Sequence, residues 1–207
     1  MTKQEKIKAL PIRVSTGNTK LGEKVYNINL TPIVSCVEDV LCAKDCYAMK
    51  AYSQYPAVRK AWDMNLDCYD ESASVYFRAL FDYITLHPNM KLFRFHSAGE
   101  MPDERYWSGV RNIAGAFPEI AFLIFTKQYG FDYTWFPKNL SVIISTWPGM
   151  ALPKLTGQPS AYNLPWAWIA HDPRAPTEHA FNCPGACGEC SYECWKNRDR
   201  DVVFKLH

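Results

Sequence analysis

Seven of the eight cysteines fall in two short stretches near opposite ends of the chain. Cys36, Cys42 and Cys46 stand as C-x5-C-x3-C within SCVEDVLCAKDCYA (35–48). Cys183, Cys187, Cys190 and Cys194 stand as C-x3-C-x2-C-x3-C within NCPGACGECSYECW (182–195). Thiolates are soft donors that suit zinc and iron–sulfur centres, and short spacings let one loop wrap several sulfurs around a compact core. Gly185 and Gly188 permit close backbone approach and Pro184 stiffens it. Structural zinc takes four ligands, commonly from C-x2-C knuckles, and only Cys187 and Cys190 have that spacing. Four thiolates within twelve residues suit a cubane. The expectation is therefore one or two [4Fe-4S] clusters, with zinc as the alternative.

The first group has three cysteines, which on a four-iron cluster leave one iron open to another ligand. Two alternatives stay open: Cys68 could supply a fourth ligand, or both groups could share one centre. Cys68 stands alone in NLDCYDE, where a packed helix face also accounts for it.

Eight cysteines in 207 residues lie well below the density of a small disulfide scaffold. The first residues carry positive charge but no apolar core of a secretory signal, so a cytoplasmic protein is expected. The longest apolar run, IAFLIF (120–125), is too short to span a bilayer. A formal charge of +2 exerts no general pull on nucleic acid. Aromatic residues at 14%, interleaved with KQY and RDRD, suit stacking on a base or nucleotide. Asp199 and Asp201 offset Arg198 and Arg200, however, and no long basic groove results. Walker, G-x-G-x-x-G and H-E-x-x-H motifs are missing, which disfavours phosphate-loop and zinc-protease chemistry.

The remaining pattern is alternating strand and helix in a single domain over 1–207, with the C-terminal cysteine cluster at 182–195. KVYNINL (24–30) alternates as a strand, KLFRFHS (91–97) follows, and IAFLIFT (120–126), LSVIIST (140–146) and WAWIAH (166–171) read as buried strands. Residues 48–87 read as at least two helices, punctuated at Pro56 and by DES (70–72). DERYWSGVRNIAGAF (103–117) reads as another, and a short helix is expected near 131–136. A Pro/Gly/Ser loop lies between Pro148 and Pro165. Such alternation implies α/β architecture with a parallel sheet, here a partial (β/α) barrel of about five or six strands. Its functional face is where the strands end, which places both cysteine loops on one rim.

Residues at strand ends are candidates for chemistry: His96, Lys127 and His171, the last with Asp172. A hydrogen-bonded core role suits His96 equally well. Ser145, Thr146 and Trp147 could line a cofactor pocket.

In order, GNTKLG (17–22), NINLTPIVSC…C…CYA (27–48), FRFHSAGE…YW (93–107), FTK (125–127) and the terminal CP…C…C…CW resemble a phage-associated family known only as gene product 88. That name implies no activity. A more distant resemblance is to radical S-adenosylmethionine enzymes, which have a partial α/β barrel and a three-cysteine loop after the first strand. Their Gly-Gly-Glu-type stretch after the second strand meets the cofactor's amino group. This resemblance implies an open cluster on Cys36, Cys42 and Cys46, S-adenosylmethionine held by Gly99 and Glu100, and an auxiliary cluster on the C-terminal cysteines. It also implies a small-molecule or nucleotide substrate and a protein reductant. The usual loop is C-x3-C-x2-C with an aromatic before the last cysteine; here the spacing is longer and Tyr47 follows it. Alternatives of other classes are a redox protein that uses no S-adenosylmethionine, and a non-enzymatic module. The module would be held by zinc or a closed cluster and would bind nucleic acid or a partner protein.

Overall fold

The apolar runs of the central chain become neighbouring strands of one sheet. The computed structural model describes residues 1–18, 20–38, 40–152, 160–196 and 199–205. Seven residues of the expected 148–165 loop, together with Arg198 of the RDRD stretch, lie outside them. The strands are β1 (Val14–Thr16), β2 (Val25–Ile28), β3 (Leu92–Phe95), β4 (Ala121–Thr126), β5 (Leu140–Ser145), β6 (Trp166–Ile169), β7 (Phe181–Asn182) and β8 (Val202–Phe204). Their spatial order is β1-β2-β3-β4-β5-β6-β8-β7, with β1 antiparallel to β2 and every other pairing parallel. From β2 to β6 each strand lies beside its predecessor, the winding direction of a barrel. The sheet nonetheless ends at two free edges, so the architecture is an open, mostly parallel α/β sheet. The expected five or six strands become eight because β1, β7 and β8 have only two or three residues each, too few to show a period.

Five helices accompany the sheet among the described residues: α1 (Lys3–Ala9), α2 (Tyr47–Gln54), α3 (Pro56–Glu71), α4 (Ala73–Thr85) and α5 (Glu104–Ala116). The punctuation works as the residues dictate. Pro56 opens α3, where its missing N–H costs nothing. Ser72 accepts the Val75 N–H to cap α4, and Asp103 accepts the Tyr106 N–H at 2.7 Å to cap α5. The helix expected near 131–136 is absent; bends and irregular chain stand there instead. Its backbone groups find other partners: the Asp132 carbonyl accepts from Trp107 Nε1 at 2.7 Å, and the Tyr133 N–H donates to Ser160 Oγ at 2.6 Å. Among the described residues no helix is long and apolar enough to cross a membrane.

Alternation along the strands gives the sheet two apolar faces. Ile28, Phe93, Phe95, Phe122, Ile124, Val142 and Ile144 pack against side chains of α3, α4 and α5. Val25, Leu123, Ile143, Ala167 and Val202 point the other way, where no α-helix among the described residues covers them. Leu21, Cys194 and Trp195 close over this second face instead. A fully buried residue such as Phe93 contributes about 1.5–3 kcal/mol, so both layers are needed to hold the sheet.

Candidate functional site

The first cysteine loop leaves the end of β2 and is stitched to the turn that follows β3. The Leu30 N–H donates to the Ala98 carbonyl at 3.2 Å, and the Glu100 N–H donates to Ser35 Oγ at 3.1 Å. Ser35 in turn donates to the Thr31 carbonyl at 2.8 Å, so its hydroxyl bridges the two loops. Cys42 lies in a 3₁₀ turn (Leu41–Asp45), and Cys46 immediately precedes α2. All three thiols are free and half-buried. Burial pushes the Cys36 thiol up to about 11, with Glu100, Cys42 and Cys46 pushing the same way. Burial also raises Cys42, opposed by Lys127 and reinforced by Cys46 and Glu100. The three sulfurs thus lie within one another's electrostatic reach, and any metal loading there displaces protons.

Glu100 is 6% exposed, and its two oxygens accept backbone N–H groups from Met101 at 2.8 Å and Lys127 at 2.7 Å. The carboxyl therefore ties the turn after β3 to the end of β4. Burial raises its pKa against the pull of those hydrogen bonds. The Thr126 hydroxyl is a third donor to it, and an ionised carboxylate has about four acceptor positions, so capacity remains for one further donor. Lys127 Nζ donates to Ser145 Oγ at 3.1 Å, and the Tyr129 hydroxyl donates to the Ser145 carbonyl at 2.8 Å. Glu100, Lys127 and Ser145 thus gather at the C-terminal ends of β3, β4 and β5, beside Cys42. Gly99 has φ +80°, and a Cβ there would stand 2.6 Å from Ser35 Oγ and 2.8 Å from the Leu30 carbonyl oxygen. This glycine exists because the two loops touch.

The other candidates stand elsewhere. His96 turns toward the helices, with Nε2 2.9 Å from the Tyr106 hydroxyl, which itself lies 2.6 Å from that of Tyr76. His171 is exposed, while Asp172 is buried against Arg174 at 2.7 Å. That pair anchors the loop after β5, because Arg174 also donates to the Trp147 and Met150 carbonyls. Thr146 is buried and donates to the Ala167 carbonyl at 3.2 Å. Cys68 is buried in the helix-facing core on α3, with Tyr69 and Tyr76 in the same core.

His96 carries a pH dependence. Burial, reinforced by the positive charge of Arg94, holds its pKa down to about 3 from an ordinary 6.5. As pH falls below 6.5 the unfolded chain takes up a proton that the folded chain refuses, so stability is lost from 6.5 downward. At pH 5 the expected loss from this residue is about 2 kcal/mol. Asn tolerates the positive φ of 57° at this position, so His96→Asn should remove that part of the fall between pH 7 and 5 in urea denaturation. An unchanged pH slope would contradict a neutral buried imidazole.

Cys183 directly follows the C-terminal end of β7, but the cysteines after it leave the strand ends. The Cys183 N–H donates to the Val203 carbonyl at 2.8 Å, and the Cys187 N–H donates to the Lys20 carbonyl at 2.7 Å, ahead of β2. Trp195 Nε1 then donates to the Phe93 carbonyl at 3.2 Å. The loop therefore runs across the sheet face that no α-helix among the described residues covers, and forms a 3₁₀ turn there (Glu193–Trp195). The cause is hydrophobic: Cys194 and Trp195 are 7% and 4% exposed there, over Val25, Leu123 and Ile143. Burial pushes the Cys194 thiol up to about 12; Cys183, Cys187 and Cys190 add to this and Arg94 opposes it. Cys183, Cys187 and Cys190 are free and half-buried. Among the described residues, no three Cys, His, Asp or Glu side chains converge tightly enough to hold one metal ion.

Two features were not read from the sequence. Ser35 gives no local signal, since its role depends on a contact 65 residues away. Arg94 did give one, a cation alternating with two phenylalanines in FRF, which puts it on the face opposite them.

Fold and site together define an α/β protein with a three-cysteine loop at the strand ends and a four-cysteine loop across the sheet. The family model "Gene product 88" matches residues 6–147, and the chain belongs to that family. The C-terminal cysteines lie beyond the matched span. No curated protein and no solved structure matches the chain.

Proposed function

We propose that the chain is an iron–sulfur protein of the radical type, with an open [4Fe-4S] cluster on Cys36, Cys42 and Cys46 and a second, closed cluster on Cys183, Cys187, Cys190 and Cys194. The observation that carries this reading is the stitching of the first cysteine loop onto Gly99 and Glu100. The donor chemistry fits: seven free soft thiols stand in two groups, each bound up with a different part of the sheet. With S-adenosylmethionine on the open iron, such a cluster supplies one-electron and radical chemistry.

The chain's own residues would do the rest. Glu100 would receive one hydrogen bond of the cofactor's ammonium group on its remaining acceptor position, and Gly99 would let the backbone approach. Lys127, held by Ser145, would meet an anionic group of a small-molecule or nucleotide substrate. Ile33, Val34, Leu41 and Tyr47 are exposed around the thiols, a surface for substrate or for the protein reductant to cover. Free thiols at this density suit a reducing cytoplasm.

A second reading has its own observation. Both Glu100 oxygens already hold backbone N–H groups, a structural task that needs no cofactor. The protein would then be a redox iron–sulfur protein or a metal-stapled module. EPR of the reduced, anaerobically isolated protein separates the two. A spectrum that shifts on adding S-adenosylmethionine supports the open iron, and an unchanged spectrum overturns it in favour of closed centres.

A further inference from the structure

Arg94 sits where a cation is out of place. It lies mid-way along β3, half-buried, on the sheet face covered by the C-terminal cysteine loop. Its guanidinium stacks 4.9 Å from the centre of the Phe125 ring, and Nε donates to the His96 carbonyl at 3.3 Å. Phe125 packs in the same apolar layer as Cys183, Cys187 and Tyr192. Among the described residues no carboxylate forms an ion pair with Arg94. A charge in such a layer is costly unless an opposite charge meets it.

We propose that Arg94 is the counter-charge of the C-terminal cluster and sets its reduction potential. The inference rests on the iron–sulfur reading above. Four thiolates around a cubane leave it anionic, and each electron accepted from a low-potential one-electron donor adds negative charge. A fixed guanidinium in a low-dielectric layer therefore stabilises the reduced form over the oxidised one.

The test uses the full chain with Cys36, Cys42 and Cys46 replaced by alanine, so that only the C-terminal group holds a cluster. It is reconstituted anaerobically with iron and sulfide and titrated with redox mediators under EPR. Arg94→Gln should make reduction at least tenfold less favourable, a midpoint about 59 mV more negative. Arg94→Lys, which keeps the charge but not the stacking geometry, should stay within about threefold of the parent. Loss of cluster in Arg94→Gln with retention in Arg94→Lys would report the same dependence on charge. Equal midpoints in all three chains, equal shifts in both variants, or loss of cluster in both, would overturn the proposal and leave the iron–sulfur reading standing. A parent chain that takes up no iron and sulfide would overturn that reading and this inference with it.

Discussion

Replacing Cys36, Cys42 and Cys46 with alanine should remove about half the iron of the anaerobically isolated protein, from about eight atoms per chain to about four. The two groups are held by different parts of the fold, which is why their losses should be separable. The first hangs from β2 and is fixed by Ser35 against Glu100. The second is wedged over the opposite sheet face by Trp195, whose Nε1 donates to the Phe93 carbonyl. Emptying the first loop therefore leaves the second in place. The complementary variant, Cys183, Cys187 and Cys190 to alanine, should keep the other half. If either substitution empties both groups, the seven thiols serve one shared centre.

Gly99→Ala should be the most damaging single substitution in the candidate site. At φ +80° a Cβ costs about 1–2 kcal/mol from backbone strain alone. The new methyl would also stand 2.6 Å from Ser35 Oγ and 2.8 Å from the Leu30 carbonyl oxygen. Ser35 has a little freedom, but Leu30 has none, because its own N–H is bonded to Ala98 in the same turn. Overpacking of this kind adds about 1–3 kcal/mol. The expected total is about 2–5 kcal/mol, or a fall in Tm of roughly 5–15 °C for a chain of this size. Because the strain is relieved by pushing Ser35 away, the first cysteine loop should also retain less iron. Gly130→Ala is the control: a Cβ there meets nothing within 4 Å. A Gly99→Ala chain as stable as that control would mean that the two loops are not in contact.

The sheet was largely legible because its central strands are apolar on both faces. IAFLIFT and LSVIIST carry their placement in composition, and helix starts at Pro56 and Asp103 follow from one residue each. The short edge strands were not legible, since VST and FN contain no repeat from which to infer pairing. Residues 131–136 differ for another reason: a short helix is expected there, but tertiary partners such as Ser160 and Trp107 take the backbone groups. Of the candidate site, the meeting of Cys42, Glu100, Lys127 and Ser145 followed from the rule that strand ends converge. The rule held for Cys183, which follows β7, and failed for the cysteines after it. Their loop also carries Tyr192 and Trp195, and burial of those rings drew it over the uncovered face instead of onto the rim. His96 pointed to the helices because its backbone turns to φ 57° after Phe95, which strand alternation cannot foresee.

Iron and acid-labile sulfide, counted per chain on protein purified without oxygen, bear most directly on the central claim. The account predicts about eight of each, one cubane per cysteine group. Stoichiometric zinc with no sulfide would contradict it and leave a metal-stapled structural module.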